Sequence, residues 1–87
     1  MVVNNRRCEI EIISDILSLC REGAKKTQIL YRTNLSYTQL RDYLSFLIKA
    51  GVLEENNTKP YNVYVTTQKG LEILDNIKHL IEKLRID

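Results

Sequence analysis

Hydrophobic positions recur along the chain at two periods, and each change of period marks an element. Over residues 6–22, RRCEIEIISDILSLCRE, Ile10, Ile13, Ile16, Leu17 and Cys20 fall on one stripe at about 100° per residue, which predicts a helix. Cys8, Ile12 and Leu19 widen that stripe beyond what one neighbour covers, so this helix is expected between two others. Gly23 suits its C-terminal end. Residues 24–35, AKKTQILYRTNL, predict a short extended lead-in and a brief helix from Thr27, its N-cap, to Thr33. Ile29 and Leu30 point inward there, and Asn34 stops the helix in a left-handed conformation.

Residues 36–50 predict a third helix, with Ser36 as N-cap and Gly51 just past its end. Leu40, Tyr43, Leu44, Leu47 and Ile48 share one face, while Phe46 falls off the stripe and needs a second apolar neighbour or partial exposure. The period then drops to two. VLEEN (52–56) and YNVYVTT (61–67), joined by NTKP, predict a hairpin, with Pro60 in the connection because it has no N–H to give a ladder. The pattern leaves open whether Val63 and Val65 or Tyr64 face inward.

From Thr67 to about Ile86 the helical period returns, with Ile73, Leu74, Ile77, Leu80, Ile81 and Leu84 on one stripe. Leu74, Ile77, Ile81 and Leu84 are spaced 3, 4, 3, the rhythm of a coiled coil. The preceding chain is too short to cover that whole helix, so its distal turns are expected against a second copy in a two-fold dimer.

At 87 residues the chain makes one compact unit, read as residues 1–66 plus a dimerisation helix over 67–87. No apolar run approaches a membrane span and the first residues lack an export pattern, so a cytoplasmic location is expected. Cys8 and Cys20, twelve residues apart on one helix, would lie roughly 18 Å apart and cannot bridge. His79 is too remote to complete a metal site with them, and it is read as a solvated residue. No nucleophile–base pair, metal cluster or glycine-rich phosphate loop is present, so no enzyme, metal or cofactor is expected.

The net charge of +2 is unevenly spread. Residues 24–49 carry Lys25, Lys26, Arg32, Arg41 and Lys49 against Asp42 alone, whereas each flanking segment is slightly acidic. A basic middle suits a polyanion. It coincides with the polar side of the third helix, where Thr38, Arg41, Asp42, Ser45 and Lys49 stand opposite the apolar face, with Tyr37 and Gln39 on its borders.

The second and third helices are joined by about three residues, Asn34 to Ser36, which is helix-turn-helix spacing, and a hairpin follows directly. On EGAKKTQILYRTNLSYTQLRDYLSFLIKAGVLEE (22–55) and YVTTQKGLEIL (64–74), the chain resembles an archaeal family of small winged-helix DNA-binding proteins. That family includes ten-kilodalton chromatin-type members and transcriptional regulators. The resemblance implies a mostly helical α+β fold, a winged helix-turn-helix with a β-hairpin wing at 56–61, and a homodimer through an antiparallel coiled coil of the last helix. It implies double-stranded DNA as partner and a nucleoid-associated location, with the third helix in the major groove. A charge of +2 is low for a packaging protein and leans towards regulation. A winged helix that binds only proteins is the alternative.

On this frame Arg41 can pair with guanine and Gln39 with adenine if it turns outward, while Ser36, Tyr37, Thr38 and Ser45 reach bases or phosphates. Lys49 suits backbone charge, and Lys25 and Lys26 can hold a phosphate before the second helix. Asn57 and Lys59, at the wing with Asn56 and Thr58, suit a minor-groove or backbone contact. Asp42 opposes phosphate unless it pairs with Arg41 or accepts from cytosine. Tyr31, Tyr37, Tyr43, Tyr61 and Tyr64 lack the spacing of a stacking platform and are expected mostly in core or hairpin packing. Gly70 is expected to allow close packing.

Overall fold

The computed structural model describes residues 9–58 and 60–84. The expectations for Cys8, Lys59 and the helical residues 6–8 and 85–86 lie outside the described residues. The order is α1 (Glu9–Leu19), β1 (Ala24–Lys25), α2 (Lys26–Thr33), α3 (Tyr37–Lys49), β2 (Leu53–Thr58), β3 (Tyr61–Thr66) and α4 (Gln68–Leu84). The strands form one antiparallel sheet in the order β1-β3-β2. Ile16, Leu17 and Cys20 after α1, Ile29 of α2, and Leu40 and Leu47 of α3 are fully buried around Val52, Leu53, Tyr64 and Leu74. Burying each large aliphatic contributes about 1.5–3 kcal/mol, so this cluster carries the fold.

α1 has the two neighbours its wide stripe required, α2 and α4. It stops at Leu19 rather than 22. The Cys20 carbonyl accepts from Thr66 N–H at 2.8 Å and Gly23 N–H at 3.2 Å, and the Thr66 hydroxyl donates to the Leu17 carbonyl at 2.7 Å. Carbonyls left without helical partners are thus taken by the sheet. Ile10, expected inward, is 40% exposed in the first turn. Burial pushes the Cys20 thiol from its ordinary 9.0 up to about 12.

α2 begins one residue before Thr27, which is not its N-cap. Lys25 still pairs with Val63 in the sheet, and its N–H donates to Gln28 Oε1 at 2.9 Å, so the chain passes straight from strand to helix. Asn34 ends the helix at φ 62°, left-handed as its position required. The short extended lead-in expected before α2 is β1, and what the pattern did not reveal is its pairing with β3.

α3 is closed at both ends by local hydrogen bonds. Ser36 Oγ accepts from Gln39 N–H at 3.1 Å, while Gln39 Oε1 accepts from Ser36 N–H at 3.0 Å. At the other end Gly51, at φ 81°, donates to the Ile48 carbonyl and Val52 N–H to that of Leu47. This double closure needs a left-handed residue after the helix, which glycine adopts at no steric cost.

The hairpin ladder runs from Leu53↔Thr66 to Thr58↔Tyr61, so Asn57 and Thr58 are paired strand rather than loop, and the connection shrinks to residues 59–60. The open question on β3 resolves towards Tyr64, which is buried with Thr66, while Val63 and Val65 are half-buried on the other face. Tyr31 and Tyr61 are exposed, against the expectation of core or hairpin packing, and Tyr37 is exposed as its place among the candidate contacts required.

Thr67 stands before α4 as its cap: its Oγ1 accepts from Gly70 N–H at 3.1 Å and donates to the Gly51 carbonyl at 2.7 Å. Lys69 Nζ donates to the Ala50 carbonyl at 2.9 Å, and Thr67 N–H to that of Val52. A Cβ on Gly70 would run into the Val52 carbonyl oxygen and lie 2.6 Å from Thr66 Cγ2, which confirms its close-packing role. Along α4 only the near part is covered. Leu74 is buried, Ile73, Ile77 and Ile81 are half-buried, and Leu80 and Leu84 are 46% and 69% exposed.

Candidate nucleic-acid interface

The amphipathic pattern of α3 does in the structure what it promised. Leu40, Leu44 and Leu47 seat the helix on the core, and Thr38, Arg41, Asp42, Ser45 and Lys49 are all exposed. The inward face is anchored and both helix ends are capped, so the outward side chains project from a fixed axis.

Beside that face lies a groove of about 300 Å³ between α3 and the wing. It is lined by Lys26, Arg41, Ser45 and Lys49, by the apolar edge of Leu44 and Ile48, and by Glu55 and Tyr64. The register explains the last two. Leu53, Glu55 and Asn57 alternate onto one face of β2, opposite Thr66, Tyr64 and Asn62 of β3, and the buried Leu53 turns that face towards α3. Glu55 Oε2 accepts from Asn62 Nδ2 at 3.0 Å and from the Tyr64 hydroxyl at 3.4 Å. Burial, and then the Glu55 charge and its hydrogen bond, raise the Tyr64 pKa above the usual phenol value, so it stays a donor.

The other candidates divide. Lys26 Nζ sits 5.3 Å from the ring of exposed Tyr37, which joins the start of α2 to the start of α3. Lys25 shares its register with Val63, on the face away from α3, and its Nζ lies 3.8 Å over the Tyr61 ring. The structure therefore brings Lys26, Arg41, Ser45 and Lys49 together, while Lys25 lies outside that groove, in an adjoining hollow with Lys26, Tyr61 and Asn62. Ser36 and Gln39 are exposed but occupied with each other, which leaves the Gln39 amide N–H groups free and its oxygen engaged. Asp42 lies 3.5 Å from Arg41, an exposed pair of neighbours worth little energy but enough to mask the acid. Asn57 is exposed on the groove-side face of β2.

Glu55, Asn62 and Tyr61 had escaped the sequence reading. Only the strand register places them, and a one-residue slip would have put Glu54 in the groove instead. On the far flank of α3, Phe46 is 60% exposed and forms an open hollow with Glu9, Ile13, Gln39, Asp42 and Tyr43. His79 is exposed on α4, 3.7 Å from Asp75. Among the described residues no helix is long and apolar enough to cross a membrane, and no three His, Cys, Asp or Glu side chains are disposed to hold a metal.

The fold is shared with archaeal proteins. The chain is 28% identical to Sso10a-2, a DNA-binding protein from Sulfolobus solfataricus, whose crystal structure superposes with a TM-score of 0.78 over 93% of this chain and 100% of that one. The structure of SSV1 F-93 superposes at 0.71 over 94% of each chain, at 20% identity, a likeness of fold alone. Uncharacterized protein MJ0287 of Methanocaldococcus jannaschii is 31% identical over 78 residues, spanning 88% of this chain and 76% of that protein. The profile of the winged helix-turn-helix family matches residues 6–85, and with helix-turn-helix, wing and sheet all in place the chain belongs to that family.

Proposed function

We propose that the protein is a dimeric, sequence-tolerant or operator-specific binder of double-stranded DNA in the cytoplasm, acting as a transcriptional regulator or on the nucleoid. α3 lies in the major groove and the wing follows the adjoining backbone. The observation that carries this is the outward flank of α3. Arg41, Ser45 and Lys49 stand together with Lys26 over a groove, on a helix whose opposite side is locked into the core. Phosphates meet Lys26 and Lys49, and base edges meet the side chains near the N-terminal half of α3. The description of Sso10a-2 as a DNA-binding protein supports the same reading.

Dimerisation belongs to α4. Leu80 and Leu84 leave apolar area in water that a second copy of the same helix would bury, and an antiparallel coiled coil is the arrangement we adopt. The exposed Phe46 favours a second reading, a winged helix that docks protein, because a large apolar side chain in water marks contact surfaces.

A titration separates the two. With five phosphate contacts per dimer, affinity for a duplex should fall roughly 500-fold between about 50 and about 200 mM salt, from a slope near −0.9 per contact. The double substitution Arg41→Ala, Lys49→Ala should weaken binding and flatten that slope while leaving the fold intact. Unchanged binding would remove α3 from the interface.

A further inference from the structure

The groove between α3 and the wing holds one residue that works against the phosphates its lysines and arginine attract. Glu55 stands on the α3-facing side of β2 in the same groove as Lys26, Arg41 and Lys49. Its carboxylate is held by neutral donors of the facing strand, Asn62 Nδ2 at 3.0 Å and the Tyr64 hydroxyl at 3.4 Å. Among the described residues no ammonium or guanidinium lies within ion-pairing distance of it. Asp42, the other acid near α3, differs on this point because Arg41 sits 3.5 Å away.

We propose that Glu55 is a specificity-determining residue of the interface: a positioned negative charge that repels sequence-independent seating of a phosphate in the groove. The inference rests on the DNA-binding reading above and deepens it. A duplex that settles there must offer a hydrogen-bond donor to the carboxylate, such as the amino group of a base, whereas a bare backbone meets repulsion. Discrimination by an unfavourable element costs affinity for every ligand and costs most for the wrong one. Glu55 is exposed, and the bonds from Asn62 and Tyr64 favour the conformation that keeps its carboxylate at the groove.

The neighbouring residue provides the control. Glu54 is exposed on the opposite face of the same strand, so Glu54→Gln makes an identical change in net charge away from the groove. Gln at 55 keeps an oxygen for both donors, so the wing is retained. With a random-sequence duplex at fixed low salt, Glu55→Gln should bind roughly three- to tenfold more tightly, and Glu54→Gln less than about twofold. Asn62→Ala changes no charge but releases the carboxylate, and should move affinity the same way by a smaller factor. Equal effects of Glu55→Gln and Glu54→Gln, with a wild type that binds in a salt-dependent manner, would overturn the proposal while leaving DNA binding standing. A wild type without salt-dependent duplex affinity would overturn both.

Discussion

The two ends of the molecule solve the same problem of exposed helix surface in opposite ways. From Ser36 to Gly70 almost every local device is closed. α3 is capped at each end, the carbonyls of Ala50 and Gly51 just past it are held by Lys69 and Thr67, and Gly70 lets α4 approach Val52. Past Leu74, α4 carries apolar side chains that stand in water, Leu80 at 46% and Leu84 at 69% exposed. The first region is complete within one copy. The second fits the dimer proposed above. Damage should therefore appear as lost folding in one region and lost assembly in the other.

At neutral pH the largest effect is expected at the closed end. Gly70→Ala puts a methyl against backbone that cannot yield, and should destabilise by roughly 3 kcal/mol, read as the shift of a urea unfolding curve. A change within about 0.5 kcal/mol would mean that α4 is free to move off Val52.

Next comes the buried thiol. Cys20 ionises near its ordinary 9.0 in the unfolded chain but at about 12 in the folded one. Its contribution is thus complete below pH 9 and is lost as pH rises towards 12. Over that window stability should fall by about 1.4 kcal/mol per pH unit, a slope absent in Cys20→Ala. Matching slopes in both would assign alkaline unfolding to other groups.

The smallest effect on folding, and the largest on assembly, is expected at the open end. Leu80→Asp with Leu84→Asp should leave the unfolding midpoint of the isolated core within about 1 kcal/mol, because both side chains are largely in water. By light scattering the mass should drop from twice 10.2 kDa to 10.2 kDa. A wild type already at the lower mass would break the comparison, since the open end would then have no partner to lose.

What the sequence disclosed follows the same division. The stripe of α3, the left-handed Asn34, the cap at Ser36 and the tightness at Gly70 were legible because each depends on a few neighbouring residues. The extended lead-in at β1 was legible but its pairing with β3 was not, since that pairing is a tertiary fact. The cap of α2 was misplaced at Thr27 because the strand before it holds Lys25 in register until the helix begins. Arg41, Ser45 and Lys49 could be named from their helix face alone. Glu55 could not, because its position opposite them depends on hairpin register. The exposure of Tyr31 was likewise invisible to composition, which marks an aromatic ring as a core candidate wherever it stands.

The bonds from Thr67 and Lys69 to the end of α3 have one more consequence. They tie the chain just past the helix proposed for the groove to the helix proposed for the dimer, so a tilt of one is passed to the other. In a pair of such molecules the distance and angle between the two reading heads would be set by the joint itself. An ill-spaced target would then have to twist or curve to fit, and shape, as much as base order, would decide where the pair comes to rest.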